Sequence, residues 1–204
     1  MKVILGSASP RRRDILTRAG IEYEVIVSDV EEAVSKTDPA EVVEELSGQK
    51  AEDVWDKAVK LYSAKQDDIN AYSEDELLVI GADTIVALDG LIYGKPKDRQ
   101  DAIRMLKNLS GRTHQVYTGV TVIIGGRRIS FAAATDVSVY EVSDKEIERY
   151  VDSGEPMDKA GAYAIQGGFA RYIKEIRGEY NNVVGFPIAR LIYELKRLGI
   201  DIYS

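Results

Sequence analysis

Cysteine is absent from this 204-residue chain, and histidine occurs only once. Disulfide bonds, a thiolate nucleophile and cysteine-based zinc sites are therefore excluded, and a single histidine cannot build a multi-histidine metal site. No apolar run approaches the roughly 20 residues that span a bilayer, and the first residues are typical of a strand rather than of a signal peptide. We therefore expect a cytoplasmic protein with no membrane partner.

The charge balance is acidic, with 27 lysines and arginines against 34 aspartates and glutamates, for a formal net charge of -7. Nucleic-acid affinity depends on many contacts between cationic side chains and phosphates, so this balance argues against nucleic acid as a partner. Hydrophobic residues make up 45% of the chain and charged residues 30%, as in ordinary globular proteins. We expect one domain over residues 1–204, because a chain of this length can bury a large core.

A locally basic turn near the start of the chain indicates a small anionic ligand. Residues 3–5 predict a short buried strand, and Ser9-Pro10 predicts a helix start, which places residues 11–13, all arginine, in the first helical turn. The helix dipole favours acidic side chains there, so three arginines are explained best by a bound anion such as phosphate. A solvated basic turn is the alternative. The common nucleotide-binding glycine motifs are absent from the sequence.

Strands and helices alternate along the chain, and a long hairpin interrupts the alternation, so we expect an α/β fold with a mixed sheet. The sequence predicts helices at 10–19, from Pro39 onward, from an Asp98 cap to Leu109, from Ser143 to near Gly154 and at 187–198. It predicts strands at 22–28, 77–88, 115–124, 129–142 and 170–176. Turns at Asp89-Gly90 and Gly125-Gly126 predict hairpins, and residues 64–75 predict an exposed connection.

Four ionisable residues stand at positions that favour a role in binding. Asp83 interrupts an apolar run, Lys95 lies between a glycine and a proline, Glu32 follows the second strand, and Lys50 interrupts an apolar helix face. Carboxylates together with cations at strand ends indicate a metal and phosphate site. Each residue also has a plain alternative as a turn cap or a solvated charge. His114 is interpreted as a hydrogen-bonded residue at a strand edge rather than as a base.

Six motifs occur in an order and spacing that match one family: Ser7-Ala-Ser-Pro-Arg-Arg12, Gly81-Ala-Asp-Thr84, Gly94-Lys-Pro96, Leu109-Ser-Gly-Arg-Thr-His114 with Thr118-Gly-Val120, Met157-Asp-Lys-Ala-Gly-Ala-Tyr163 with Ile165-Gln-Gly167, and Asn182-Val-Val-Gly-Phe-Pro187. On these residues the chain resembles the Maf family of nucleoside triphosphate pyrophosphatases nearly end to end. The resemblance implies a fold related to the inosine triphosphate pyrophosphatases, with a twisted mixed sheet, helices around it and two lobes flanking a deep cleft. It also implies hydrolysis between the α and β phosphates, giving a monophosphate and pyrophosphate, with Mg²⁺, Mn²⁺ or Co²⁺ as cofactor.

The resemblance assigns roles to individual residues. Asp83 matches the family's catalytic aspartate, which would act as general base on the attacking water, directly or through the metal. Glu32 matches an acidic position after the second strand and, with Asp83, would bind the cation. The positions that would bind the substrate phosphates fall on Ser9, Arg11, Arg12, Lys50 and Lys95.

The resemblance also implies which residues determine the choice of substrate: Arg11, Thr84 and Gln166. They resemble the branch that acts on dTTP and UTP, and the resemblance therefore implies house-cleaning of pyrimidine nucleotide pools. A pyrophosphatase for 7-methyl-GTP is one alternative. A nucleotide-binding regulator of septum formation without turnover is another, since the family is linked to cell-division arrest. Members of the family are often dimers, so the resemblance also implies a homodimer.

Overall fold

The computed structural model describes residues 1–63 and 72–203, so most of the connection predicted at 64–75 lies outside the described residues. The chain divides into two compact units. Unit 1 contains Met1–Asp83, Thr118–Ala133 and Gly185–Ser204, and unit 2 contains Thr84–Tyr117 and Ala134–Val184. The prediction of a single two-lobed domain stays a prediction.

Within residues 1–63 and 72–203, seven strands form one mixed sheet, which confirms the predicted α/β fold class. The strands are β1 (Lys2–Leu5), β2 (Glu24–Val25), β3 (Leu77–Leu88), β4 (Leu91–Tyr93), β5 (Thr113–Ile124), β6 (Arg127–Val139) and β7 (Ile173–Arg177). Their order is β2-β1-β3-β5-β6-β7, with β4 paired to β3. β1 runs parallel to both β2 and β3, whereas β4 is antiparallel to β3 and β7 is antiparallel to β6.

The described residues also form six helices: α1 (Pro10–Arg18), α2 (Pro39–Ser63), α3 (Arg99–Leu109), α4 (Asp144–Val151), α5 (Tyr180–Val184) and α6 (Ile188–Arg197). Short 3₁₀ turns occur at Glu74–Glu76, Glu155–Asp158, Ala160–Ala162 and Gly168–Tyr172. The caps predicted at Asp98 and Ser143 form, since the Asp98 carboxylate accepts from Asp101 N–H at 2.8 Å and the Glu146 carboxylate accepts from Ser143 N–H at 3.0 Å. Across the described ranges, no helix combines the length and apolar character needed to cross a membrane.

Three predicted boundaries are wrong, and one helix is missed. The strand predicted at 22–28 shortens to β2, in which only Glu24 and Val25 pair with β1, at Ile4 and Leu5. Residues 168–172 form a 3₁₀ turn around the fully buried Phe169, so β7 begins later than predicted. The strand predicted at 129–142 ends earlier, at Val139. α5 was not predicted from its sequence.

The core of unit 1 lies between α2 and the strands β1 and β3. These elements are joined by a cluster of six buried residues: Ile4, Val54, Ala58, Tyr62, Leu77 and Val79. Trp55 packs against this cluster. Gly81 brings α2 close to β3, because a Cβ built at this glycine would lie 2.4 Å from Ser47 O and 2.7 Å from Ala51 N. The absent side chain is therefore a requirement of helix–strand packing at this point.

Candidate functional site

The turn between β1 and α1 is fixed by Arg12. Its Nε donates to Gly185 O at 2.8 Å, and its Nη1 donates to Ala82 O at 2.8 Å and to Ser7 Oγ at 3.0 Å. The Ser7 side chain is buried and also accepts from Ser9 N–H at 3.3 Å. One guanidinium thus connects α1, the β1–α1 turn, β3 and the segment before α6.

Arg11 has different surroundings, although it is adjacent to Arg12. It is half-buried and donates no hydrogen bond to any residue in the ranges 1–63 and 72–203. Ser9 occupies the N-cap position in an extended conformation, but its side chain makes no capping bond. The N-terminus of α1 therefore has a cationic side chain and no side-chain cap, which is an environment suited to an anion.

Lys50 links two carboxylates. Its ammonium pairs with Asp83 Oδ1 and, at 2.8 Å, with Glu32 Oε1. The side chains of Lys50 and Asp83 are only 16% and 17% exposed, whereas that of Glu32 is 47% exposed. The close approach of α2 and β3 at Gly81 explains how Lys50, on the helix, reaches Asp83, two residues further along the strand.

These charges share one electrostatic environment with the arginine turn. Burial is the largest effect on the pKa of Arg12 and lowers it from its ordinary value. The negative charges of Asp83 and Glu32 raise this pKa, whereas the positive charge of Arg11 lowers it further. The structure therefore brings together five of the predicted residues in unit 1: Arg11, Arg12, Glu32, Lys50 and Asp83.

The carboxylates of Asp83 and Glu32 supply oxygen donors, the ligand type that Mg²⁺ prefers. No group of three or more potential metal-binding side chains forms in the part of the chain that the structure describes. The two carboxylates that pair with Lys50 are nevertheless a suitable donor set. Mg²⁺ usually binds one or two carboxylates and completes its coordination shell with water and substrate phosphates. A metal that depends on an all-protein cage would not fit.

Ser9 also belongs to unit 1, and the remaining predicted residues lie in unit 2. Thr84 follows Asp83 on β3 and is half-buried. Lys95 is exposed after β4, where Gly161 N–H donates to Gly94 O at 3.0 Å and fixes the backbone beside it. Gln166 is exposed in the turn that precedes Gly168–Tyr172.

His114 is the second residue of β5 and is buried. It lies on β5, between β3 and β6, and is 1% exposed. Its Nε2 is 2.8 Å from Tyr163 Oη, so the predicted hydrogen bond is present. Burial lowers the pKa of His114 to about 4, and the ring is therefore neutral near pH 7.

Sequence reasoning missed Ser7 and Asn182 as supports of the fold. Asn182 is fully buried on α5, and its Nδ2 donates to Val116 O at 2.9 Å and to Thr135 Oγ1 at 3.0 Å. Both residues lie within motifs that carry the family resemblance, and this position was the sequence signal that could have pointed to them. Their partners are distant in sequence, so the sequence alone could not reveal what they bind.

Comparison with known proteins identifies the family. The family described as "Maf-like protein" matches residues 2–198. The chain belongs to this family. A dTTP/UTP pyrophosphatase of Agathobacter rectalis is 50% identical to this Maf-like protein over 206 residues, covering 98% of this chain and 99% of the relative. Another, from Lachnoclostridium phytofermentans, is 46% identical and covers 98% and 97%.

The solved structures support the fold alone. The Ham1 protein of Staphylococcus aureus aligns with a TM-score of 0.50 at 16% identity, covering 97% of the Maf-like chain and 100% of the Ham1 chain. At this identity the match shows a shared α/β fold and does not extend to the residues of the site.

Proposed function

We propose that this Maf-like protein is a nucleoside triphosphate pyrophosphatase that hydrolyses dTTP and UTP to the monophosphate and pyrophosphate. The observation that carries the proposal is the arrangement of Lys50 between the Asp83 and Glu32 carboxylates, beside the arginine turn at the start of α1. Carboxylates next to unneutralised cations are the groups needed to activate water and to hold a polyphosphate. The relatives named dTTP/UTP pyrophosphatase support the choice of nucleotide.

In the proposed reaction, Asp83 accepts a proton from the attacking water. The water oxygen forms a new bond to phosphorus, the bridging α–β anhydride bond breaks, and the electron pair leaves with the departing phosphate oxygen. Lys50 orients the Asp83 carboxylate through their ion pair. Its side chain is only 16% exposed, which limits the orientations that the ammonium can adopt.

Arg11 and Lys95 supply charge to the phosphates in this proposal, because neither donates a hydrogen bond to another residue of the described ranges. Arg12 and Ser9 remain predicted phosphate contacts, and Arg12 also carries the structural bonds described above. Asp83 and Glu32 would hold Mg²⁺, Mn²⁺ or Co²⁺. A bound cation would neutralise phosphate charge and lower the pKa of a coordinated water.

Thr84, Gln166 and Arg11 remain the predicted determinants of substrate choice. A glutamine carboxamide offers both a donor and an acceptor, which complements the carbonyl and N–H of a uracil or thymine base. A site that hydrogen-bonds a base discriminates strongly against a base lacking the matching groups, because its own polar atoms are then left unpaired. Guanine presents the same carbonyl and N–H pair, so the preference for pyrimidine triphosphates over 7-methyl-GTP rests on the relatives named dTTP/UTP pyrophosphatase.

The test is product analysis across a nucleotide panel with Mg²⁺, Mn²⁺ and Co²⁺. We expect UTP and dTTP to give monophosphate and pyrophosphate in equal amounts, faster than purine nucleotides. Faster cleavage of 7-methyl-GTP would support the purine alternative. Recovery of intact nucleotide after long incubation would support a binding protein without turnover, and release of single phosphates would contradict α–β cleavage.

A cytoplasmic location and a homodimer complete the proposal. Both rest on the resemblance to the Maf family. Sedimentation velocity at micromolar concentration measures the oligomeric state: a species of twice the chain mass is expected, and a monomer would contradict the dimer.

A further inference from the structure

The exposed Gln166 stands at the tip of a tight turn in unit 2. Gly167 N–H donates to Ala164 O at 3.2 Å, which closes the turn, while Ile165 is only 8% exposed and anchors it to the interior. Gln166 has an exposed side chain, so its own contacts do not explain how its position is fixed.

Two side chains hold the two ends of this turn. Before the tip, Ala164 N–H donates to Tyr150 Oη at 3.1 Å. After the tip, Gly168 N–H donates to both carboxylate oxygens of Glu155, each at 3.0 Å. Tyr150 in turn donates to Glu155 Oε1 at 2.7 Å, so the pair forms a clamp across the turn. We call Tyr150 and Glu155 the turn clamp.

The turn clamp is closely matched to the backbone that it holds. A Cβ built at Gly167 would lie 2.1 Å from Glu155 Oε1, so only glycine leaves room for the carboxylate. Tyr150 is 6% exposed, and its ring packs against Phe169 with centroids 5.2 Å apart. Burial and then the bond to Glu155 raise the pKa of Tyr150, which keeps its hydroxyl protonated as a donor at neutral pH.

We propose that Glu155 is a positioning residue that sets nucleotide selectivity by holding Gln166 in place through Tyr150 and Gly168 N–H. The proposal rests on the proposed function, since it concerns the same nucleotide. Glu155 itself needs no contact with the substrate. Glu155 and Tyr150 also line a surface cavity, so shortening Glu155 enlarges an existing cavity instead of opening a void in the core.

The experiment measures kcat/KM for dTTP and for dCTP, whose base accepts at N3 where thymine donates, and takes their ratio as the selectivity. Glu155→Ala and Gln166→Ala are each expected to lower this ratio about tenfold, the scale of one lost base contact. Because Glu155 acts through Gln166, the double variant is expected to lose no more than either single variant. Glu155→Gln should restore most of the ratio, since its amide oxygen can still accept from Gly168 N–H and Tyr150.

Controls separate positioning from general damage. Glu148→Ala removes the same charge from an exposed position on α4, and its selectivity should equal that of the wild type. Tyr150→Phe removes only the hydroxyl and should reproduce the loss, which keeps the test available where Glu155→Ala does not fold. Amide hydrogen exchange at 164–168 should accelerate in both clamp variants.

Three results would overturn the proposal: full selectivity in the clamp variants when Gln166→Ala has lost it, additive losses in the double variant, or unchanged selectivity in Gln166→Ala. Absence of pyrophosphate release by the wild-type protein would instead overturn the proposed function, and the selectivity claim with it. The wild-type measurement therefore distinguishes the two failures.

Discussion

Arg11 and Arg12 show how neighbouring residues of one type acquire different tasks. Arg12 donates to two backbone carbonyls and a buried hydroxyl, whereas Arg11 donates to none of the described residues. A charge-assisted hydrogen bond contributes more than a neutral one, and removing the donor leaves its acceptors unsatisfied. Arg12 is therefore a support of the fold, while Arg11 is available to a phosphate.

Arg12→Ala should lower the free energy of unfolding by about 2 kcal/mol or more, because Gly185 O and Ala82 O lose their donor. Arg11→Ala is the matched control and should change it by no more than about 0.5 kcal/mol. Urea unfolding at pH 7 measures both. Equal destabilisation by the two variants would contradict this division of tasks.

His114 gives the unfolding free energy a definite pH dependence. Burial lowers its pKa to about 4 in the folded chain, against 6.5 when unfolded, so the unfolded chain binds more protons between these values. Stability is complete above about pH 6.5 and is lost as the pH falls towards 4, by roughly 3 kcal/mol for a shift of this size.

His114→Gln keeps a hydrogen bond to Tyr163 but cannot titrate. The difference in unfolding free energy between wild type and variant should therefore change between pH 7 and pH 4, with the wild type losing more. Urea titrations at pH 7, 6, 5 and 4 provide the measurement. A difference that stays constant with pH would show that His114 does not contribute this dependence.

Residues with local tasks were the ones that could be predicted from sequence. Pro10, Asp98 and Ser143 mark helix starts through chemistry within a few residues of each position. The Lys50 link between Asp83 and Glu32 joins positions 18 to 51 residues apart, and no local pattern specifies such a contact. The hydrogen bonds from Arg12 to Gly185 O and Ala82 O could not be predicted either, because these acceptors are also distant in sequence.

At the level of elements, the sequence predicts the interior of helices and strands better than the ends that depend on partners. β2 is limited to the two residues that pair with β1, and α5 carries Asn182, whose hydrogen-bond partners are distant in sequence. The placement of α2 on β3 depends on Gly81, whose absent side chain lets the helix carry Lys50 to Asp83.

Gly81→Ala should separate these two elements. A Cβ at 2.4 Å from Ser47 O must displace backbone, so we expect destabilisation of about 1–3 kcal/mol, as for other overpacked sites. Gly94→Ala is the control, since a Cβ there meets nothing within 4 Å, and it should cost no more than about 0.5 kcal/mol. Equal midpoints of urea unfolding for the two variants would contradict the packing role of Gly81.

At the scale of the whole molecule, three strands continue from one compact unit into the other. The unit boundaries fall inside β3, after Asp83, inside β5, after Tyr117, and inside β6, after Ala133. Each of these strands contributes residues to both units, so neither unit contains the whole of any of the three. We therefore expect the chain to unfold in one cooperative transition.

Fluorescence of Trp55, the single tryptophan, reports on unit 1, whereas far-ultraviolet circular dichroism reports on the whole chain. Their urea midpoints should coincide. Two separated midpoints, or a dichroism change that continues after the fluorescence transition is complete, would contradict a single cooperative transition.

The central claim is that Asp83 activates the water that cleaves a nucleoside triphosphate. Its most direct test is the rate of pyrophosphate release from dTTP with Mg²⁺ by the wild-type protein and by Asp83→Asn. Asp89→Asn is the control, because it alters an exposed carboxylate paired with Arg112 in unit 2. We expect Asp83→Asn to lower the rate by about 10²- to 10⁴-fold, the usual contribution of a general base, with nucleotide binding retained and the control unaffected. Pyrophosphate release by Asp83→Asn at the wild-type rate would contradict the claim.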